Sequence, residues 1–453
     1  MKAKCIVCGQ VYDVEADRGQ PIEIDDAVLY VCHRDWPGFN VGAELQKRSQ
    51  DAGRPERDDP KRSKKRAEQR QTLLRFDQTP RDIVAKLDEY VIGQERAKHV
   101  VAVGLYDHHR IHQSALNNDA DDDVELEKAN ILLVGPSGSG KTLLARTLAR
   151  SLGVPFSSAD VTSLSPTGYT GNDVESVLTP LYIDANEDLE WAGRGVVFLD
   201  EIDKIARKSM ANPSITRDVS GESVQHALLK LIEGTMAQLP LGASGRKHPD
   251  APPDYIDTTK ILFIGGGAFE GLPEVVAKKM HRNTDRTIGL RADRDGLVGD
   301  PQKDYEILSE APPEVLIESL IEYGYVPEFA GRFPIIVPLA PLTREEMRLA
   351  LTQPKNSVVR QQISLFRRDG IELVFEESAL DAVVDRATNM KTGVRALRSL
   401  VKHMTSQARF DLSGDRVTSR VEVGPETLDN PSLYRAVRRV TPAAVAGSRA
   451  EAV

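Results

Sequence analysis

The chain has 453 residues, 40% of them hydrophobic and 28% charged, with 59 basic against 68 acidic side chains and a net charge of −9. That length holds more than one domain at about 100–200 residues each, and the composition is that of globular protein. A mildly acidic balance argues against a general nucleic-acid binder, which carries a basic domain, and no apolar run reaches the roughly 18–20 residues of a membrane span.

Three cysteines, Cys5, Cys8 and Cys32, lie near the N-terminus, and residues 33–453 have none. An odd, clustered count fits a metal site or plain thiols in a reducing compartment better than a disulfide framework. Cys5 follows the start too closely for a secretory or transit segment, so a cytoplasmic protein is expected. Residues 1–43 are too few for a core without a staple. Residues 44–78 are mostly Glu, Gln, Lys, Arg and Asp and read as a solvated linker.

From about residue 79 the pattern changes. Leu87, Val91, Ile92, Val100, Val101, Val103 and Leu105 suggest a turn and then an amphipathic helix. Ala129 to Val134 is a short apolar run ending in a Gly-rich turn, hence a buried strand, and Leu143 to Leu152 continues as a helix. Gly195 to Leu199 and Ile261 to Ile264 read as two further buried strands. Strands alternating with helices imply a covered parallel sheet, an α/β fold. Beyond about 342 the chain reads as mainly helical, with Glu372 to Phe375 as one short strand. The expected domains are 79–341 and 342–430, with a fraying tail over 431–453.

The chemistry starts at the turn after the first strand. Gly135, Pro136, Ser137, Gly138, Ser139, Gly140, Lys141 and Thr142 fit G-x-x-x-x-G-K-[ST] in full. A strand before the motif and a helix from Leu143 after it supply the context that confirms it. Glycines let successive N–H groups cradle phosphate oxygens, and the helix N-terminus adds partial positive charge. Lys141 is expected on the β- and γ-phosphates and Thr142 on Mg²⁺. The strand ending at Leu199 is followed by Asp200 and Glu201, the first to hold the Mg²⁺ shell and the second to polarise the attacking water. The chain therefore reads as an ATPase. It has no G-x-S-x-G and no H-E-x-x-H, so no protease chemistry of its own.

The segment from about 78 to 420 resembles the ClpX family of AAA+ protein unfoldases. The resemblance is carried by Leu87-Asp-Glu-Tyr-Val-Ile-Gly-Gln94, Asp200-Glu-Ile-Asp-Lys-Ile205, Ala227-Leu-Leu-Lys-Leu-Ile-Glu-Gly-Thr235, Val326-Pro-Glu-Phe-Ala-Gly-Arg-Phe-Pro334 and Lys391-Thr-Gly-Val-Arg-Ala-Leu-Arg398. It implies a P-loop AAA+ large domain, a small mainly helical domain and a zinc-finger-like N-terminal module. It implies that Val91 and Ile92 pack on adenine. It implies that Arg395 touches the phosphates of its own subunit. Arg332 is then an arginine finger on the next subunit's phosphate, which requires an oligomer closed by head-to-tail interfaces, and the resemblance implies that this ring is a homohexamer.

The same resemblance implies how substrate is handled. Tyr169 and Thr170, between Gly168 and Gly171, fall where the family has a pore loop that grips polypeptide, with Thr in place of Val. An exposed surface turn is the alternative. Arg246, Lys247 and His248 match a cationic collar at the pore mouth, and Arg217 matches a second pore loop; ordinary charged loops are the alternative. Ile288, Gly289 and Leu290 lie where the family docks the ClpP peptidase, with Leu in place of Phe. Exposed apolar tips of this kind mark partner sites, although a loop tucked onto its own domain has the same sequence. Cys5, Cys8 and Cys32 fall in a four-cysteine zinc module whose fourth position is Asp35, with His33 as the other candidate; a metal-free degenerate module is the alternative. The implied function is ATP-dependent unfolding and threading of tagged or unfolded proteins into ClpP. The expected cofactors are ATP, Mg²⁺ and Zn²⁺, with no membrane or nucleic-acid partner. A remodeller without a peptidase and a nucleic-acid motor are the competing functions.

Overall fold

The computed structural model describes residues 77–117, 126–165, 172–206, 219–239, 254–284, 300–390, 393–415 and 417–438, with four short strands in the first 31 residues. The chain divides into two compact units, Met1–Thr72 and Leu73–Val453. In the first unit Lys2–Lys4 pairs antiparallel with Val11–Asp13, and Gln20–Ile24 with Ala27–Val31.

The second unit contains two hydrophobic cores, one drawn from Ile83 to Leu339 and the other from Met347 to Leu428. The larger core is organised by a five-stranded sheet. Its strands are β1 (Ile131–Val134), β2 (Phe156–Asp160), β3 (Val196–Asp200), β4 (Leu262–Gly267) and β5 (Ile335–Pro338). They lie in the order β5-β1-β4-β3-β2, every neighbouring pair parallel. Parallel neighbours cannot be joined by tight turns, so helices carry the crossovers. Ahead of β1 stand α1 (Pro80–Asp88) and α2 (Glu95–Asn117); the crossovers run through α3 (Lys141–Leu152), α4 (Leu178–Asp184), α5 (Val219–Glu233), α6 (Leu272–Thr284), α7 (Pro301–Glu310) and α8 (Pro313–Tyr323).

The three central strands are buried along nearly their whole length, which is why they appear in the sequence as unbroken apolar runs. Ile131 faces Ile264 on one side and Ile335 on the other, so β1 is clamped in register from both. The carboxyl ends of β1, β4 and β3 are therefore adjacent. That edge of an open parallel sheet is where ligands bind, and it carries the turn after Val134, the Asp200–Glu201 pair and the Gly267–Ala268 loop.

The smaller core joins α9 (Arg344–Thr352), α10 (Val358–Arg368), α11 (Glu377–Asn389) and α12 (Val394–Asp411) to a three-stranded sheet. In it β6 (Glu372–Phe375) runs parallel to β7 (Thr418–Val423), and β8 (Arg435–Arg438) runs antiparallel to β7. The last strand departs from the fraying tail expected over 431–453. All four of its side chains are exposed, so hydrophobic patterning could not reveal it. It is held by its backbone ladder, by ion pairs from Arg435 to Glu376 and Glu426, and by the Tyr434 hydroxyl donating to Asp411. Among the described residues no helix is long and apolar enough to cross a membrane.

Candidate nucleotide site

The turn after β1 enters α3 through Gly140, whose φ of 97° an L side chain resists. Helix α3 then points its N-terminus into a cleft of about 520 Å³. Lys141 lies in this cleft, its Nζ donating to the carbonyls of Gly135 (2.6 Å) and Pro136 (3.0 Å). Burial lowers the Lys141 ammonium to about 8, opposed by the carboxylates of Asp200 and Asp203. The Ser139 hydroxyl is buried here without a hydrogen-bond partner. A cationic group at a helix N-terminus, beside an unmatched hydroxyl, suits a phosphate chain.

Opposite stands the end of β3. The Thr142 hydroxyl donates to Asp200 Oδ2 at 3.2 Å, so a hydroxyl and a carboxylate oxygen converge as an oxygen-loving Mg²⁺ requires. Asp200 Oδ1 accepts from the Glu201 backbone N–H at 3.0 Å. Glu201 sits at φ 55°, ψ 31°, a left-handed conformation uncommon for its type, and its carboxylate is exposed at the rim of the cleft. Strain of this kind gathers at working sites.

Asp203 is buried in the same cleft, with Oδ1 accepting from the Ala268 N–H at 3.3 Å and Oδ2 paired to Lys204 Nζ at 3.1 Å. It pins the end of β4 to the end of β3. A Cβ at Gly267 would lie 2.5 Å from Asp203 Oδ1, so only glycine fits there.

The remaining walls come from both cores. Tyr90, Val91 and Ile92 line one side. Their segment is fixed by the buried Gln94, whose amide donates to the carbonyls of Ala340 (2.7 Å) and Ser139 (3.4 Å) and accepts from the Ala340 N–H. The smaller core contributes Leu342, Asn356, Val358, Val394, Arg395 and Arg398. Gly393, just before α12, lies so close to the phosphate loop that a Cβ would meet Ser137 O at 3.3 Å.

Residues 126–336 match the AAA domain (Cdc48 subfamily). The chain is 44% identical over 354 residues to the ATP-dependent Clp protease ATP-binding subunit ClpX of Treponema denticola, covering 78% of this chain and 82% of that one. It is 44% identical to the ClpX subunit of Bacteroides thetaiotaomicron and 43% identical to that of Bacteroides fragilis, each over 76% of this chain and 80% of the relative. The chain belongs to the ClpX family. It is an AAA+ ATPase, and its parallel sheet is the α/β P-loop fold expected from the sequence.

Within this ClpX frame the cleft collects Val91, Ile92, Ser137 to Leu143, Asp200, Glu201 and Arg395. Gly135 and Pro136 stand behind it as the carbonyls that hold Lys141. Arg332 does not line the cleft. It lies in a separate cavity of about 650 Å³ with Lys128, Asn130 and Glu233. Its guanidinium donates through Nη2 (2.6 Å) and Nε (3.1 Å) to Glu233 Oε1. Asn130, one residue before β1, donates to the Arg332 carbonyl at 3.0 Å and accepts from the Phe263 N–H at 3.2 Å.

Asp203, Gln94, Asn130 and Ala268 were not picked out from the sequence. Two of them left a signal: Asp203 is the third carboxylate in Asp200-Glu-Ile-Asp203, and Gln94 closes the Leu87–Gln94 segment that carries the resemblance. Tyr169, Thr170, Arg217, Arg246, Lys247, His248, Ile288, Gly289, Leu290, Cys5, Cys8, Cys32, His33 and Asp35 lie outside the described residues.

Proposed function

We propose that the chain is the ATP-hydrolysing subunit of a homohexameric ring that unfolds tagged proteins and threads them into a ClpP-type peptidase. The observation that carries this reading is the cleft itself. Phosphate loop, Asp200–Glu201 pair and the Arg395 helix of the small domain meet around one cavity, in a chain of the ClpX family. A nucleotide bound there spans both domains, so its hydrolysis changes what holds them together.

The roles follow from the chemistry of the side chains. Lys141 neutralises the β- and γ-phosphates, while Thr142 and Asp200 hold Mg²⁺. Bound Mg²⁺ draws charge from the phosphate oxygens during transfer. Glu201 orients and deprotonates the attacking water. Val91 and Ile92 offer the adenine an apolar wall, and Arg395 closes on the phosphates from the small domain. Arg332, outside its own subunit's cleft, is assigned to the γ-phosphate of the neighbour. Such fingers contribute about 10³–10⁵ in rate.

Tyr169 and Thr170 form the gripping loop, Arg217, Arg246, Lys247 and His248 the cationic lining, and Ile288, Gly289 and Leu290 the peptidase dock. At the N-terminus, Cys5, Cys8 and Cys32 with Asp35 or His33 hold Zn²⁺, a donor set that zinc accepts. Elemental analysis of the whole protein should find about one zinc per chain; a metal-free protein contradicts that assignment alone. The test of the main reading is ATPase turnover with an unfolded polypeptide or with DNA added. Stimulation by polypeptide and none by DNA is expected. Stimulation by DNA alone would overturn it in favour of a nucleic-acid motor.

A further inference from the structure

Behind the cleft, a buried polar and aromatic joint ties the Glu201 turn to the Arg332 segment. After Glu201 the chain makes a short helical turn, Ile202–Ile205. The Tyr325 hydroxyl donates to the Ile202 carbonyl at 2.6 Å. Gln225, fully buried on α5, donates to the carbonyls of Ile205 (2.8 Å) and Gly324 (3.3 Å) and accepts from the Val326 N–H (2.8 Å). One side-chain amide thus bridges the turn that carries Glu201 and the segment that leads to Arg332.

From Tyr325 an aromatic column continues. The Tyr325 ring stacks on Phe329 with centroids 5.6 Å apart, and Phe329 meets Phe333 at 5.5 Å. Arg332 lies between these last two in sequence, and its N–H donates to the Phe329 carbonyl at 3.1 Å. On the other side Tyr325 stacks on Phe269 at 6.1 Å. Phe269 follows Ala268, the residue held by Asp203. Both protein loops that border the phosphates from the β3 and β4 ends therefore rest on the column from which the finger projects.

We infer that Tyr325 and Gln225 are positioning residues that couple the water-activating turn of one nucleotide site to the arginine finger serving the next. The inference rests on the trans assignment of Arg332 above. Close packing carries a displacement because a filled interior cannot absorb it locally. The Tyr325 hydroxyl keeps its proton, since burial pushes its pKa well above the ordinary value, so it stays a donor to Ile202. When the Glu201 turn shifts with the nucleotide's state, the Ile202 and Ile205 carbonyls shift with it. The finger root is then displaced through Tyr325, Phe329 and the Val326 backbone. Neither side chain lines the nucleotide cleft, so their effect reaches the reaction only through these contacts.

The test is Tyr325→Phe in the full-length ring, which keeps the stacked ring and removes the one hydroxyl. The melting temperature and the Kd for a non-hydrolysable ATP analogue should stay close to those of the unaltered protein. The kcat should fall by about tenfold, as when a catalytic group is slightly misplaced. The Hill coefficient for ATP is expected to be above one in the unaltered protein and to fall towards one in the variant. Gln225→Glu, which keeps the acceptor for Val326 and loses both donated bonds, should act in the same direction.

Rings mixed from Arg332→Ala and Glu201→Gln subunits separate the two layers of the argument. Some mixed interfaces pair an intact Glu201 with an intact Arg332, so partial recovery of turnover is expected. Recovery together with an unchanged Hill coefficient in Tyr325→Phe overturns the coupling and leaves the finger standing. Mixed rings without recovery at any ratio overturn the finger, and the coupling with it. A Hill coefficient of one in the unaltered protein also contradicts the coupling.

Discussion

At the scale of single residues, the phosphate loop and the Asp200–Glu201 pair were legible because their chemistry is local. Neighbouring backbone and a fixed spacing suffice to form them. Asp203, Asn130, Gln94 and Tyr325 were not, because their partners lie far along the chain. Asp203 reaches Ala268, Asn130 reaches Arg332, Gln94 reaches Ala340 and Tyr325 reaches Ile202. Two predictions belong here. Glu201→Gln should bind ATP normally and turn it over at least about tenfold more slowly, while Lys141→Ala should lose binding in a direct nucleotide titration. Normal turnover in Glu201→Gln would remove the general-base role. The second concerns pH. Burial lowers free Lys141 to about 8, and a phosphate beside it would raise that value, because the charged form is the one that pairs. Binding then takes up a proton above pH 8, and KM for ATP should rise by up to about tenfold per pH unit between 8 and 9.5. A KM that stays flat over that range would contradict the role of Lys141.

At the scale of elements, what showed in the sequence was what is buried on every side. The runs expected at Ala129–Val134, Gly195–Leu199 and Ile261–Ile264 are β1, β3 and β4, and the short strand expected at Glu372–Phe375 is β6. The edge strands escaped notice. β2 reads Phe-Ser-Ser-Ala-Asp and is only partly buried, and β5 ends in a proline that an edge position tolerates. Helix α2 holds a feature that periodicity did not announce. His108 and His112, one turn apart, meet through their Nε2 atoms at 3.1 Å, and both Nδ1 atoms are buried without partners. Burial lowers His108 to about 3 and His112 to about 2, and nearby Lys128, His109, Arg194 and Lys260 push in the same direction. The rings stay neutral in the fold but protonate near 6.5 when unfolded. Stability is therefore full above about 6.5 and declines as pH falls towards 3. At pH 5 the decline is about 2 kcal/mol for each ring. His112→Leu should reduce the drop in melting temperature between pH 7.5 and pH 5. An equal drop in both proteins would contradict the buried pair as its source.

At the scale of the whole molecule, the family and the α/β architecture were readable from long matching stretches, whereas the joining of the two cores was not. That junction depends on Gly393 against Ser137, on Lys355 against Glu89 and on cleft walls drawn from both cores, contacts that exist only after folding. Under the proposed function, peptidase docking belongs to this scale, because six weak loops of a hexameric ring would act together and multivalency adds about 10²–10⁴ to affinity. Deleting Leu290 should abolish degradation by ClpP while ATPase and unfolding persist. Degradation that survives the deletion would favour a remodeller whose Ile288–Leu290 loop is not a dock. The central claim, that ATP hydrolysis in this cleft drives the unfolding of other proteins, is tested most directly by the native fluorescence of a stably folded, tagged substrate incubated with the ring and ATP. The account predicts that fluorescence is lost with the unaltered protein and retained with Glu201→Gln. Fluorescence that persists while the unaltered protein hydrolyses ATP at its full rate would contradict it.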